Sequence, residues 1–178
     1  MFIDILVLGH LASRPAHGYE IKQRVSRSIG ETIPLNNNVL YPALRRLDDM
    51  GAVASEVVHQ GASPPRRVYR LTDHGLEVLR AIVEDFPPES ALNDGEFNTR
   101  LAYFDLIGRD ARLEILRTRI TAVRQLLSHL LGSVEEAADQ GRRRYAPRLV
   151  EFLIGQRESE LRFLEDLVQQ EERAEVLP

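Results

Sequence analysis

The chain contains no cysteine, no tryptophan and a single lysine, Lys22. Without cysteine there are no disulfides, thiolate nucleophiles or thiolate metal sites. Without tryptophan there is no indole to stack on a flat ligand. Long apolar runs are missing too. No stretch reaches the roughly 18 residues of a membrane-spanning helix, so no membrane association is expected. The apolar opening MFIDILVLGHLASR has no basic leader and does not fit a signal peptide. The five histidines, His10, His17, His59, His74 and His129, show no metal-ligand spacing such as HxxxH. G-x-S-x-G, P-loop and G-x-G-x-x-G motifs are absent. The expectation is a non-enzymatic, cytoplasmic protein with no cofactor and no metal. His10 lies in an apolar run and is expected at a core or interface position.

What is present is ordinary for a globular chain of 178 residues, with 43% hydrophobic and 28% charged side chains. That length suits one compact domain or two small ones. The net charge of −4 is unevenly spread. Residues 1–80 carry 10 basic and 8 acidic side chains, whereas residues 81–178 carry 13 and 19. The basic side chains are nearly all arginine, the residue suited to bidentate contacts with phosphate and guanine.

Breaks at Ser13–Gly18, Ile29–Asn38, Gly51 and Gly61–Pro65 divide the first half. Residues 2–12 read as a short buried helix. Residues 19–28 place Ile21 and Val25 on one face among Lys22, Arg24 and Arg27, an amphipathic helix. Residues 37–50 place Leu40, Leu44 and Leu47 at i, i+4, i+7, a third helix. Asn36, Asn37 or Asn38 can supply its N-cap oxygen, and Gly51 fits the left-handed residue beyond its end. Val53–His59 and Arg66–Leu71 read as strands of a hairpin. Thr72 and Asp73 then cap a helix through about Phe86, which Pro87 and Pro88 stop.

The second half reads as helix throughout. Residues 96–107 form a short one. In residues 109–131, Leu113, Leu116, Ile120, Val123, Leu127 and Leu130 recur at spacings of three and four. In residues 143–173, Val150, Ile154, Arg157, Leu161, Leu164 and Val168 do the same. Both are heptad seams. The last helix would be about 45 Å long, too long for its own small domain to cover, so a partner helix from a second copy is the expected cover. Gly132–Gly141 provides a break at which the chain reverses. Arg157 on the seam is expected to set register or to pair with Glu158 or Glu160 across the interface.

Three helices, a hairpin and a further helix make a winged helix-turn-helix. In that architecture the third helix enters the DNA major groove and the wing lies beside it. The face of this helix opposite its leucines holds Asn38, Pro42, Arg45, Arg46 and Asp49, with Tyr41 flanking. Asparagine reads adenine, arginine reads guanine or holds phosphate, and tyrosine donates to phosphate. Asp48 and Asp49 restrict the contact to the first two or three turns. Arg66 and Arg67 on the wing can reach a minor groove or flanking phosphates.

At these residues the chain resembles the PadR family of transcriptional regulators. Leu6–Leu11 followed by Pro15-Ala16-His17-Gly18-Tyr19-Glu20-Ile21 is similar to the family's opening "LGLL…P.HGYEL". Asn38-Val39-Leu40-Tyr41-Pro42-Ala43-Leu44-Arg45-Arg46-Leu47 is similar to its "GTLYPALRRL". Pro65-Arg66-Arg67-Val68-Tyr69-Arg70-Leu71-Thr72-Asp73-His74-Gly75 is similar to its "PRRKYYRLTEAG". Asn38 stands where glycine is common, and Val68 where an aromatic is common.

The resemblance implies a homodimeric repressor on an inverted-repeat operator, often released by a small effector. Phe97, Tyr103 and Phe104 either line an effector pocket or belong to the core. The expected organisation is a winged helix-turn-helix over 1–86, a linker over 87–95, a coiled-coil-like helical dimerisation domain over 96–173 and a tail over 174–178. The fold class is mostly α with a small β-hairpin. DNA-contacting residues are expected at Tyr19, Lys22, Asn36, Asn37, Asn38, Tyr41, Arg45, Arg46, Arg66 and Arg67. Tyr19 serves equally well as a packing residue, and Gly18 is expected to tolerate a sharp turn. Dimerisation is expected through Leu113, Leu116, Ile120, Val123, Leu127, Val150, Ile154, Arg157, Leu161, Leu164 and Val168. The competing reading is a helical protein-interaction module that does not bind DNA.

Overall fold

A computed structural model describes residues 2–28, 36–58, 65–139 and 145–173. The expected elements are present in the expected order, with one added strand, β1: α1 (Phe2–Ser13), β1 (Ala16–His17), α2 (Gly18–Ser28), α3 (Asn37–Asp49), β2 (Val53–Val58), β3 (Arg66–Leu71), α4 (Asp73–Glu84), α5 (Asp94–Leu101), α6 (Arg109–Asp139) and α7 (Ala146–Arg173). Short 3-10 turns occupy Pro88–Ser90 and Phe104–Leu106. The fold is a winged helix with a helical C-terminal region. Among the described residues no helix is long and apolar enough to cross a membrane.

Contacts divide the chain into two units, residues 1–85 with 95–107, and residues 86–94 with 108–178. This differs from the expected division. Residues 95–107 pack with the winged helix rather than with the long helices. Phe97 is fully buried there, and the Tyr103 ring lies against Gly9 of α1, where any Cβ would collide with it. Arg100, buried as well, donates to the Asp85 carbonyl at the end of α4 and to Glu96. Gly9 and Tyr103 are far apart in sequence, and Asp85 and Arg100 are 15 positions apart, so periodicity alone groups the segment with the neighbouring helices. Phe97 is therefore core, one of the two roles open to it from sequence.

In the first unit α1 is apolar all round, which requires burial on every side. Ile5, Leu6, Val7, Leu8 and Leu11 are indeed buried, and α1 packs on α2, α3, α4 and β3. Each such side chain contributes roughly 1.5–3 kcal/mol. The sheet is antiparallel in the order β1-β3-β2, with Ala16 opposite Tyr69 and Val53 opposite Leu71. β1 was not expected: two residues are too short to show a period, and only pairing with β3 makes them a strand. Gly51 takes φ 72° after α3, as the helix end requires. Thr72 caps α4, its hydroxyl accepting from the Gly75 N–H at 2.9 Å.

In the second unit α6 and α7 run antiparallel and pack along their length. α6 continues through Gly132 to Asp139, beyond the expected break. A lone glycine costs a helix only about 1 kcal/mol. The rest of the expected break, residues 140 and 141, lies outside the described residues.

Candidate nucleic-acid interface

Asn36 is in the extended region at φ −87°, ψ 165° and its side chain accepts from the Val39 N–H at 3.1 Å. It is therefore the cap of α3, and its side-chain oxygen is used by the helix. Asn37 and Asn38 stay exposed, and Asn37 accepts from Lys22 Nζ at 3.2 Å. Leu40, Ala43, Leu44 and Leu47 bury the inner face. Asn38, Pro42, Arg45 and Asp49 are left exposed on the other. Pro42 lies in the second turn, so the Asn38 carbonyl lacks its ladder donor. The first turns of α3 thus carry exposed donors and acceptors of both kinds.

The entrance to α2 is shaped by the same constellation. His17 Nδ1 accepts from the Glu20 N–H at 3.3 Å, and the Glu20 carboxylate accepts from the His17 N–H at 3.2 Å. This is a reciprocal capping box built with histidine. Gly18 does not adopt the left-handed backbone: among the described glycines that is Gly51. Gly18 makes room instead, since a Cβ there would stand 2.9 Å from the Tyr41 ring. Tyr19 is 63% exposed, and its hydroxyl accepts from Gln23 Nε2 at 2.9 Å. It is a surface residue, which decides against packing.

Across from these lies the wing. Arg66 is exposed, and Arg67 Nη1 stands 4.0 Å from the Asp48 carboxylate. Asp48 also accepts from Ser55 Oγ at 2.8 Å, which ties the end of α3 to the hairpin. Tyr69 is buried beneath Arg67. Burial pushes its phenol pKa up, and the Arg67 charge and hydrogen bond oppose that only in part. Tyr19, Gln23, Tyr41, Arg66, Arg67 and Tyr69 line a groove of about 670 Å³ between α2, α3 and the wing. Four of the expected contact residues, Tyr19, Tyr41, Arg66 and Arg67, therefore meet in one place. The weaker wing candidates His59 and Gln60 lie outside the described residues.

Arg46 does not join them. It turns to the other flank of α3 and donates to the carboxylate of Asp4 on α1. Asp4 went unremarked in the sequence, although a lone acid inside FIDILVLGHL is a visible signal that something must neutralise it.

A model described as the transcriptional regulator PadR-like family matches residues 7–81. A probable transcriptional regulator of Mycobacterium tuberculosis is 31% identical over 131 residues, covering 70% of this chain and 68% of the relative. The chain belongs to the PadR-like family of transcriptional regulators. The negative transcriptional regulator PadR of Bacillus subtilis is 24% identical over 131 residues, covering 73% of this chain and 71% of that one. A crystal structure of the Bacillus subtilis PadR in complex with operator DNA is 19% identical and covers 96% of this chain and 99% of that chain, with a TM-score of 0.47.

The helical unit of this PadR-like chain packs parts of its two expected seams on each other. Leu113, Leu116, Ile120 and Val123 of α6 are buried, as are Leu161 and Leu164 of α7. Leu127, Val150, Ile154 and Val168 are part-buried. The two seams thus bury six of their residues against each other within one chain. Arg157 is likewise satisfied internally, by Glu160 at 2.6 Å and Asp94 at 3.4 Å. Cross-helix pairs Arg112–Glu171 at 2.8 Å and Arg124–Glu165 at 2.7 Å flank the seam. What stays exposed on α7 and at the residue before it is a second apolar row, Tyr145, Leu149, Phe152 and Phe163. At 3.6 residues per turn this row lies about 130° round the helix from the buried seam.

Proposed function

We propose that this PadR-like regulator is a homodimeric repressor that binds an inverted-repeat operator. Each protomer presents the first turns of α3 to a major groove, the half-sites being about 34 Å apart or a multiple of that. Asn37, Asn38 and Arg45 face base edges and adjacent phosphates. Tyr19, Tyr41 and Arg66 follow the backbone, and Lys22 steadies Asn37. The name of the Bacillus subtilis relative, a negative regulator, supports repression rather than activation.

The observation that carries this reading is the division of labour at the start of α3. Asn36 caps the helix, so the amides of Asn37 and Asn38 are not consumed by it, and Tyr41 of the same helix lines a groove shared with the arginines of the wing. The second apolar row on α7 supports pairing of two copies: Phe152 is 61% exposed, and a row of such residues on one helix face calls for a partner.

Fluorescence anisotropy with the region upstream of the protein's own gene tests the proposal. Affinity should fall with salt at a slope of about −0.9 per neutralised phosphate, and a footprint should show two protected half-sites. No protection at low ionic strength would leave the protein-contact reading in its place.

A further inference from the structure

We propose that Asp4 is a positioning residue for DNA recognition. It withdraws Arg46 from the phosphate backbone and fixes the flank of α3 against α1. The inference rests on the operator-binding reading. Asp4 is 5% exposed, on a helix apolar all round. A carboxylate so placed needs a counter-charge, and Arg46 is the hydrogen-bonding and ionic partner it has among the described residues. Arg46 spans the boundary: its side chain is 54% exposed. It lies beside Asn38 and Pro42 in a groove of about 590 Å³ whose other walls, Ile3, Val39, Leu47, Met50 and Ile82 among them, are mostly apolar.

Two pulls on Arg46 compete. A phosphate would attract it outward in high dielectric, where charge pairs are weak. Leaving Asp4 would strand a buried, unpaired carboxylate, which is far more costly. Asp4 therefore keeps the guanidinium. The pair is electrically neutral, releases no counterion on DNA binding, and acts as a strut that sets the roll of α3. Arg46, expected from sequence to contact DNA, does so only if Asp4 lets go.

The test is the salt dependence of operator affinity for the full chain, the Asp4→Leu variant and the Asp4→Leu/Arg46→Gln variant. Leucine suits the apolar surroundings of α1, and Arg46 is exposed enough to swing into water. Thermal melts check folding, and Asp4→Asn replaces Asp4→Leu should the latter not fold. Asp4→Leu should be steeper than the parent by about 0.9 in slope, one further phosphate. Its affinity relative to the parent should then grow about 3.5-fold between 200 and 50 mM salt. The double variant should return to the parental slope.

An Asp4→Leu slope equal to the parent's would make the pair purely structural and overturn the inference. A double variant shallower than the parent would show that Arg46 already holds phosphate, and overturn it too. A parent that binds no DNA at all would instead remove the reading beneath it.

Discussion

Neighbouring residues of the same type do different work here. Asn36 and Asn38 are two positions apart, yet one terminates a helix and the other faces outward. Asn36→Ala should therefore lower stability by about 1 kcal/mol and leave base preference intact. Asn38→Ala should leave the melting temperature unchanged and cost about 1–3 kcal/mol at one operator position. Melts and anisotropy against single-base operator variants separate the two. His10 gives a second prediction. Burial is the main force lowering its pKa from 6.5, with the Arg24 charge in the same direction and a hydrogen bond to the Arg24 backbone opposing. Its Nε2 is buried without a hydrogen-bond partner among the described residues. The native state thus prefers the neutral ring, and the unfolded chain binds the extra proton first. Stability should be level above pH 6.5 and fall as pH drops below it towards the lowered value. Urea titrations across that window should show the decline, and His10→Gln should flatten it.

At the scale of elements, helices are assembled from faces and the ions that close them. Arg119 is 2% exposed, near the middle of α6. It donates to the Ala91 carbonyl at 2.7 Å, to Glu160 at 2.6 Å and to Asp94. The segment 86–94, which overlaps the linker expected over 87–95, is thereby fastened to α6 and α7. Arg119→Ala leaves the Ala91 carbonyl without its donor and Glu160 with Arg157 alone, and should destabilise by about 3 kcal/mol, read by chemical denaturation. Burial alone would raise the Asp94 carboxyl pKa, but hydrogen bonds and charges from Arg119 and Arg157 outweigh it and hold it below 3.8. That contribution is present above the unfolded value of 3.8 and is lost as pH falls through the lower folded one. The acid limb and the histidine limb of the pH profile should accordingly be distinct.

For the whole molecule the question is how one chain becomes two. Both α6 and α7, 31 and 28 residues long, bury the centres of their heptad seams on each other, and the proposed pairing of protomers draws on the face of α7 that stays exposed. Phe152 and Phe163 lie on the exposed row of α7. Phe152→Glu should convert the proposed dimer to a monomer in sedimentation while the melting temperature changes little. By contrast, Leu116→Glu on the covered seam should unfold the helical unit. The monomer should also lose the avidity of joined half-sites, a factor of about 10²–10⁴ in operator affinity.

By itself the amino-acid sequence determined the order of helices and strands, the cap at Thr72, the left-handed Gly51 and the outward face of α3. These depend on period, propensity and partners within a few residues, all of which are written locally. Three-dimensional packing decided the rest. It drew residues 95–107 onto the winged helix, made a strand of Ala16–His17, turned each long helix's seam towards the other, and gave Arg46 to Asp4, 42 positions away. A heptad seam specifies that something must cover it but not what, and a charge specifies that it needs a counter-charge but not which. Both are settled only where distant parts of the chain meet and water is excluded.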